Sequence, residues 1–195
     1  MPVRLDVTAF ILAGGKSTRM GEDKAFVQLK GRTLLDRALQ AARAVTPEVM
    51  IVGERSKFSP YGSVVEDVFR QRGPLGGIHS ALMVTATDLN LVLAVDLPFV
   101  EPAFLTYLFN RAQKTDSLVV IPRAAGGWQP LCAIYRKEFG TLAEQGLKAG
   151  QNKIDSLFDT IPVTPVEEQE ITKAGFSLNM FRNVNTPEEL KQAGR

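Results

Sequence analysis

The chain has 195 residues, of which 45% are apolar and 23% are charged, a balance that suits one ordinary globular domain. Its net charge of +2 gives no argument for nucleic acid, and it holds no apolar run near the ~20 residues that cross a bilayer, so neither partner is expected. One cysteine and one histidine exclude an internal disulfide and a histidine-rich metal site, which leaves oxygen ligands for any metal. The first residues lack the apolar segment of a secretory signal, and we expect a cytoplasmic protein.

Short apolar runs alternate with helical patterns along the first two thirds of the chain. The runs predicted as buried strands are 7–13, 49–53, 63–67, 91–96 and 117–122. The segments predicted as helices are 33–45, 77–86 and 102–114. Thr33 is the expected N-cap of the first helix, and the glycine-rich stretch 73–77 is expected to be a loop that leads into the second. The alternation indicates βαβ units and a mostly parallel sheet.

The pattern loosens after residue 122. The later predicted elements are a strand at 130–135, a helix at 137–150, a short helix and an edge strand within 153–166, and a last helix within 183–193. We predict a single α/β domain over residues 1–195, built as three layers, α/β/α, around a mostly parallel central sheet.

The stretch FILAGGKSTRMGEDK, which starts at Phe10, joins the first predicted strand to a charged loop. A P-loop would need a glycine in place of Phe10, so a P-loop GTPase is the weakest interpretation. A dinucleotide-binding pattern is also excluded, because Gly14 and Gly15 are adjacent. The loop nevertheless follows a buried strand, where α/β proteins bind ligands, and Arg19 and Lys24 add positive charge suited to phosphate. From the residues alone, a phosphate site and a plain glycine turn with solvated cations both remain open.

The motif LAGGKSTRMGEDKA, which starts at Leu12, resembles the signature of the nucleotidyltransferases and most closely that of the molybdenum cofactor guanylyltransferases. Further stretches fall in the order and spacing of that family: VVED (64–67), GPLGGIHSAL (73–82), AVDLPFV (94–100), QPLCAIY (129–135) and FRNVNTPEEL (181–190). The resemblance covers nearly the whole chain. It implies a Rossmann-like nucleotidyltransferase fold, with a nucleotide-binding half over about 1–125 and an acceptor-side part over about 126–195.

The resemblance also implies a reaction, namely transfer of GMP from GTP to molybdenum-bearing molybdopterin with release of pyrophosphate. GTP and molybdopterin are the implied partners, together with molybdoenzymes and other proteins of cofactor biosynthesis. Two alternatives stay open. One is a molybdenum cofactor cytidylyltransferase or another nucleotidyltransferase, and the other is a non-catalytic GTP-binding adaptor that takes part in cofactor delivery.

Individual residues receive roles through the same resemblance. The implied catalytic residues are Arg19, Lys24 and Asp96. The implied nucleotide-binding residues are Leu12, Ala13, Gly14, Gly15, Lys24, Asp67 and Asp96. The implied acceptor-binding residues are Asn183 and Asn185, and Asp96 is the implied ligand of Mg²⁺. On chemistry alone, Asp96 also fits a turn cap and Asp67 a solvated carboxylate.

Four other residues have no assigned role at this point. Gly53 stands where relatives often carry an asparagine that touches the nucleotide. Trp128, beside Gln129, either stacks on a pterin or covers the edge of the core. His79 fits a packed or capping residue better than a catalytic base.

Overall fold

The structure is a computed structural model that describes residues 6–14 and 23–184 and, beyond them, Glu189. The strands are β1 (Val7–Leu12), β2 (Gln28–Leu29), β3 (Arg32–Thr33), β4 (Val49–Val52), β5 (Ser63–Val65), β6 (Leu89–Ala94), β7 (Val119–Ala124), β8 (Gly127–Trp128), β9 (Cys132–Arg136) and β10 (Val163–Glu167). The α-helices are α1 (Leu34–Arg43), α2 (Arg55–Phe58), α3 (Gly73–Val84), α4 (Pro102–Ala112), α5 (Phe139–Lys148), α6 (Asp155–Phe158) and α7 (Glu168–Lys173). Two short 3₁₀ helices span Lys24–Phe26 and Leu178–Phe181.

One central sheet contains all strands except the small β2–β3 hairpin. Its order is β10-β7-β9-β6-β1-β4-β5, and β8 pairs with β7. The strands from β6 to β5 are parallel, as are β7 and β10, whereas β9 is antiparallel to both of its neighbours. The predicted mostly parallel sheet is therefore confirmed. The carboxyl ends of β1, β4, β5, β6, β7 and β10 lie at one edge of the sheet, which we call the carboxyl edge.

Helices cover both faces of this sheet. Along β1, Ala9 and Ile11 point into the core beneath α1 and α4, and Phe10 and Leu12 point into the core beneath α3 and α5. A strand that is apolar at every position is expected where both faces are buried, because successive side chains alternate between the faces. The predicted three-layer α/β/α architecture is confirmed.

Every strand and helix predicted up to residue 166 has a counterpart within a few residues, and Thr33 caps α1 by accepting from the Asp36 N–H. The predicted loop at 73–77 is wrong, because α3 already begins at Gly73. The last predicted helix, within 183–193, lies almost wholly outside the described residues. In the part of the chain that the structure describes, no helix has the length and apolar character needed to cross a membrane.

Candidate active site

Asp96 lies at the centre of the carboxyl edge, two residues beyond the end of β6. The turn that carries it is fixed from two sides. The Val95 N–H donates to the Leu12 carbonyl at 3.2 Å, which ties the turn to β1. The Val184 N–H donates to the Asp96 carbonyl at 3.1 Å, which ties it to the segment after the last 3₁₀ helix. Backbone hydrogen bonds therefore join this turn both to β1, in the predicted nucleotide-binding half, and to Val184, in the predicted acceptor-side part.

The Lys24 side chain contacts the Asp96 carboxylate at this edge of the sheet. The 3₁₀ helix that starts at Lys24 is capped by Asp23, whose carboxylate accepts from the Ala25 N–H at 3.2 Å. Lys24 Nζ lies 2.8 Å from Asp96 Oδ2, and the two side chains are only 17% and 23% exposed. The other carboxylate oxygen, Asp96 Oδ1, is buried and has no hydrogen-bond partner among the described residues.

A buried carboxylate oxygen without a partner is costly unless something binds it. Asp96 Oδ1 is therefore suited to coordinate a metal cation. No group of three or more acidic, histidine or cysteine side chains forms a ready-made metal cage within the described parts of the chain. A single carboxylate still suits Mg²⁺ or a similar ion, which is commonly bound by one or two carboxylates together with substrate phosphates and water.

The backbone from Leu12 to Gly14 ends β1 beside β4. The N–H groups of Ala13 and Gly14 both donate to the Val52 carbonyl, at 3.0 and 3.2 Å. These two donors are therefore already used, as is the Leu12 carbonyl, which accepts from the Val95 N–H, and the carbonyl oxygens of Ala13 and Gly14 are the groups that remain for a ligand. Gly14 is exposed, and a Cβ added to it would meet nothing closer than Gly53 Cα at 3.7 Å. Packing within the described structure does not require glycine at this position.

Asp67 lies two residues beyond β5 at the same edge. Its Oδ1 is buried without a hydrogen-bond partner in the described residues, and burial raises the pKa of this carboxyl above its usual value. A Cβ added to Gly77 would lie 3.5 Å from Asp67 Oδ1 and 3.4 Å from Leu12 Cδ2. A Cβ on Gly77 would thus make ordinary contacts with both groups, and these distances show that α3 passes close to Leu12 and the Asp67 carboxylate.

Gly53 follows β4 and has a clear packing role. A Cβ at this position would lie 2.7 Å from Phe58 Cε2, which real Cβ atoms do not tolerate. The Phe58 ring in turn stacks on Phe26, with ring centres 5.7 Å apart. A side chain such as asparagine is therefore excluded at residue 53 unless the aromatic pair moves.

On the other side of Asp96 lies the C-terminal segment. Asn183 is exposed and directly precedes Val184, which hydrogen-bonds the Asp96 backbone. The structure thus brings Asn183, Lys24 and Asp96 to one place, although they are far apart in the sequence. The other sequence-predicted site residues, Gly15, Arg19 and Asn185, lie outside the described residues.

The only histidine and the only cysteine of the sequence, His79 and Cys132, are both packed into the structure. His79 is 2% exposed, its ring meets Phe69 edge-on at 5.0 Å, and neither ring nitrogen has a hydrogen-bond partner within the described residues. Burial lowers the pKa of this imidazole, while the Glu144 charge raises it and the Lys148 charge lowers it by smaller amounts. Cys132 is fully buried in β9, and burial raises its pKa to about 12. Neither side chain is available to a substrate.

Sequence reasoning missed a hairpin between β7 and β8. Ala125 and Gly126 form its turn with φ of +53° and +80°, a pair of left-handed conformations found in two-residue hairpin turns. The hairpin places Arg123 over the Trp128 ring, 5.2 Å from its centre, and Trp128 meets Phe158 edge-on. The Ala-Gly-Gly sequence before Trp128 was the available signal for this turn.

The MobA-like NTP transferase domain matches residues 9–163. A relative from Pelotomaculum thermopropionicum, named as a probable molybdenum cofactor guanylyltransferase, is 34% identical over 97% of this chain and 92% of its own length. The molybdenum cofactor guanylyltransferase of Desulfosudis oleivorans is 33% identical, over 96% of this chain and 94% of its own. The crystal structure of molybdopterin-guanine dinucleotide biosynthesis protein A from Archaeoglobus fulgidus superposes with a TM-score of 0.84 at 27% identity and covers 96% of each chain. The chain therefore belongs to the molybdenum cofactor guanylyltransferases within the MobA-like NTP transferase family.

Proposed function

We propose that this nucleotidyltransferase moves GMP from GTP to the terminal phosphate of molybdopterin carrying molybdenum. The observation that carries the proposal is the contact of Lys24 with Asp96 at the centre of the carboxyl edge, with Asp96 Oδ1 buried and unpartnered among the described residues. The site thus offers one cation and one carboxylate where a triphosphate and a divalent ion would meet. Family membership supplies the identity of the two substrates.

In this reaction an oxygen of the acceptor phosphate forms a bond to the α-phosphorus of GTP. The bond from that phosphorus to the oxygen bridging the α- and β-phosphates breaks, and pyrophosphate leaves with the electron pair. A phosphate monoester loses its second proton with a pKa of about 6, so the acceptor needs no strong protein base at neutral pH. The demand on the protein is to bring two anions together and to neutralise their charge.

Each proposed role uses a different chemical property. The Lys24 ammonium donates hydrogen bonds to triphosphate oxygens, and Arg19, which lies outside the described residues, adds a second cation to the same loop. Asp96 holds the divalent cation, for which we propose Mg²⁺, and such an ion would neutralise phosphate charge when bound.

The substrates occupy opposite sides of Asp96 in this proposal. Backbone groups of residues 12–15 and the Asp67 carboxylate bind the nucleotide on the β1, β4 and β5 side, within the part of the chain up to about residue 125. Asn183 and Asn185 bind the acceptor, within the part from about residue 126 to 195. The hydrogen bond from the Val184 N–H to the Asp96 carbonyl supports this arrangement, because it joins the backbone next to Asn183 to the turn that carries Asp96.

Equilibrium binding of GTP, CTP, UTP and ATP, each with Mg²⁺, tests the nucleotide assignment. GTP should bind more than tenfold tighter than the others, a difference of about 1.4 kcal/mol. The Asp96→Asn variant should lose the Mg²⁺ dependence, whereas Asp116→Asn, an exposed carboxylate at the opposite edge of the sheet, should keep it. A preference for CTP would replace the guanylyl assignment with a cytidylyl one.

Pyrophosphate release separates an enzyme from an adaptor. With molybdopterin present, the wild type should release pyrophosphate, and Asp96→Asn should release at least 100-fold less, because it lacks the carboxylate that the proposal gives to the cation. Nucleotide binding without pyrophosphate release would instead favour the GTP-binding adaptor.

A further inference from the structure

A row of three side chains lies at the carboxyl edge beyond β9, away from the proposed nucleotide side. The strand register pairs Trp128 of β8 with Arg123 of β7, and Arg123 with Glu167 of β10. Residues directly opposite each other on neighbouring strands share a face of the sheet. The Arg123 guanidinium lies over the Trp128 ring, and its Nη1 is 3.9 Å from Glu167 Oε1. An aromatic ring, a cation and a carboxylate therefore stand side by side.

An open groove with a volume of about 520 Å³, which falls within the range of small-molecule sites, lies beside two members of this row. Arg123 and Glu167 line the groove together with the β7–β8 turn and the start of α7. The turn is fixed, because the Ala125 N–H donates to Glu168 Oε1 at 2.7 Å. The wall that carries Arg123 is thus held in place by a contact to the facing helix.

The chemistry of the row defines a class of ligand. The side chains of Arg123 and Glu167 are 58% and 53% exposed, and an exposed pair at 3.9 Å contributes little to stability. Their polar groups remain accessible to a ligand. A carboxylate next to a guanidinium matches a ring edge with adjacent N–H donors and a carbonyl acceptor. The 2-amino-4-oxopyrimidine edge has this pattern, and pterin and guanine both contain it.

The position of the groove indicates which of the two, the pterin of the acceptor or the guanine of the nucleotide, would bind there. Neighbouring strands are about 4.8 Å apart, so β7 and β10 lie ~10 and ~14 Å from β6, on the side opposite to β1, β4 and β5. Asp96 lies between the groove and the proposed nucleotide side. The two substrates must approach the reacting phosphates from different sides, so the groove is left for the acceptor.

We propose that Arg123 and Glu167 bind the pterin ring of the acceptor in this groove, with Trp128 beside them beneath the Arg123 guanidinium. Glu167 accepts hydrogen bonds from the 2-amino group and N3–H of the pterin, and Arg123 donates to its 4-oxo oxygen. The acceptor phosphate then points along the carboxyl edge towards Asp96. This inference rests on the proposed function, since it assigns a place to the acceptor of that reaction.

The chain offers a direct reporter for this groove, because Trp128 is its only tryptophan. Neopterin phosphate, a stable pterin that carries a phosphate, is the probe, and bound pterin should quench the Trp128 fluorescence. Glu167→Gln and, independently, Arg123→Gln should each weaken pterin binding at least tenfold. Glu138→Gln, an exposed carboxylate before α5 at the opposite edge of the sheet, should bind as the wild type does. All three variants should keep the wild-type affinity for GTP and the wild-type melting temperature.

Three results would overturn the inference while leaving the proposed function intact. The first is a wild type that binds GTP but not neopterin phosphate. The second is equal pterin binding by the wild type, Glu167→Gln and Arg123→Gln. The third is displacement of the pterin by an equal concentration of guanosine monophosphate, since the groove would then be a guanine site. A protein that binds pterin through Glu167 but binds no nucleotide would support the groove assignment and overturn the proposed function.

Discussion

The contact between Lys24 and Asp96 should appear as a measurable coupling energy in a double-mutant cycle of Lys24→Met and Asp96→Asn. At their separation of 2.8 Å, two unit charges interact by about 1.5 kcal/mol in water and ~6 kcal/mol at an effective dielectric of 20. The cost of removing both charges from water offsets much of the larger of these two attraction energies. Exposed pairs give about 0.2–1 kcal/mol. Because these side chains are 17% and 23% exposed, we expect a coupling of about 1–2 kcal/mol.

Urea denaturation at low ionic strength with a chelator measures this coupling, and each kcal/mol should also move the melting temperature by about 2–4 °C. The matched control is the cycle for Lys57 and Asp23, an ion pair at 3.2 Å in which Lys57 is 47% exposed. Its coupling should stay below about 1 kcal/mol. Saturating Mg²⁺ should reduce the Lys24–Asp96 coupling, because the ion competes for the carboxylate. A coupling below about 0.3 kcal/mol without Mg²⁺ would contradict the ion pair between Lys24 and Asp96. A coupling that increases when Mg²⁺ is added would contradict the proposal that Mg²⁺ and Lys24 compete for the Asp96 carboxylate.

Four further predictions concern single residues. Gly14→Ala should change the free energy of unfolding by less than about 0.5 kcal/mol, since its Cβ meets nothing within 3.7 Å, but should weaken GTP binding at least tenfold in calorimetry. An equal loss of folding stability and of GTP binding free energy would instead indicate a packing role. Gly53→Ala should cost about 1–3 kcal/mol in urea denaturation because of the Phe58 ring, and adding Phe58→Leu should recover part of the loss; an unchanged midpoint would contradict the contact. The raised pKa of Asp67 means that the native state binds its proton more tightly than the unfolded state, so wild-type stability falls as pH rises through that pKa; Asp67→Asn should melt higher than the wild type at pH 7 and lose this advantage at acid pH. The lowered pKa of His79 has the opposite sign, so wild-type stability should fall as pH drops below about 6.5; this dependence should weaken in His79→Leu, and identical pH profiles would contradict it.

Local sequence patterns predicted the parallel part of the fold well. The run at β1 is apolar at every position because both faces of the strand are buried, as Phe10 and Ile11 are, and such runs are readily identified. The start of α3 was mispredicted because its glycines have low helix propensity. Gly76 is required there for a reason that sequence does not show, since a Cβ would lie 2.8 Å from the Phe69 carbonyl. Tertiary packing therefore overrides the local preference.

In the candidate site, too, some features could be predicted from local sequence and others depend on tertiary contacts. Asp67 and Asp96 were named through the family resemblance at the ends of two predicted strands, and both residues lie at the carboxyl edge of the sheet in the structure. The contact of Asp96 with Lys24 joins residues 72 positions apart, and local spacing carries no information about such a pair. The row that contains Arg123 and Glu167 was missed because it depends on strand order and register, which form only when distant strands pair.

The antiparallel strand β9 has a consequence for how the chain assembles during synthesis. It lies between β6 and β7, so residues 132–136 fill a gap between two strands that leave the ribosome before it. Until β9 emerges, β6 exposes one unpaired edge, and Asp96 is attached to a strand with a neighbour on only one side. Pairing across such long sequence separations is slow. We therefore expect a nascent chain that ends near residue 131 to bind chaperones through the open edge of β6, and to be released once β9 has closed the sheet.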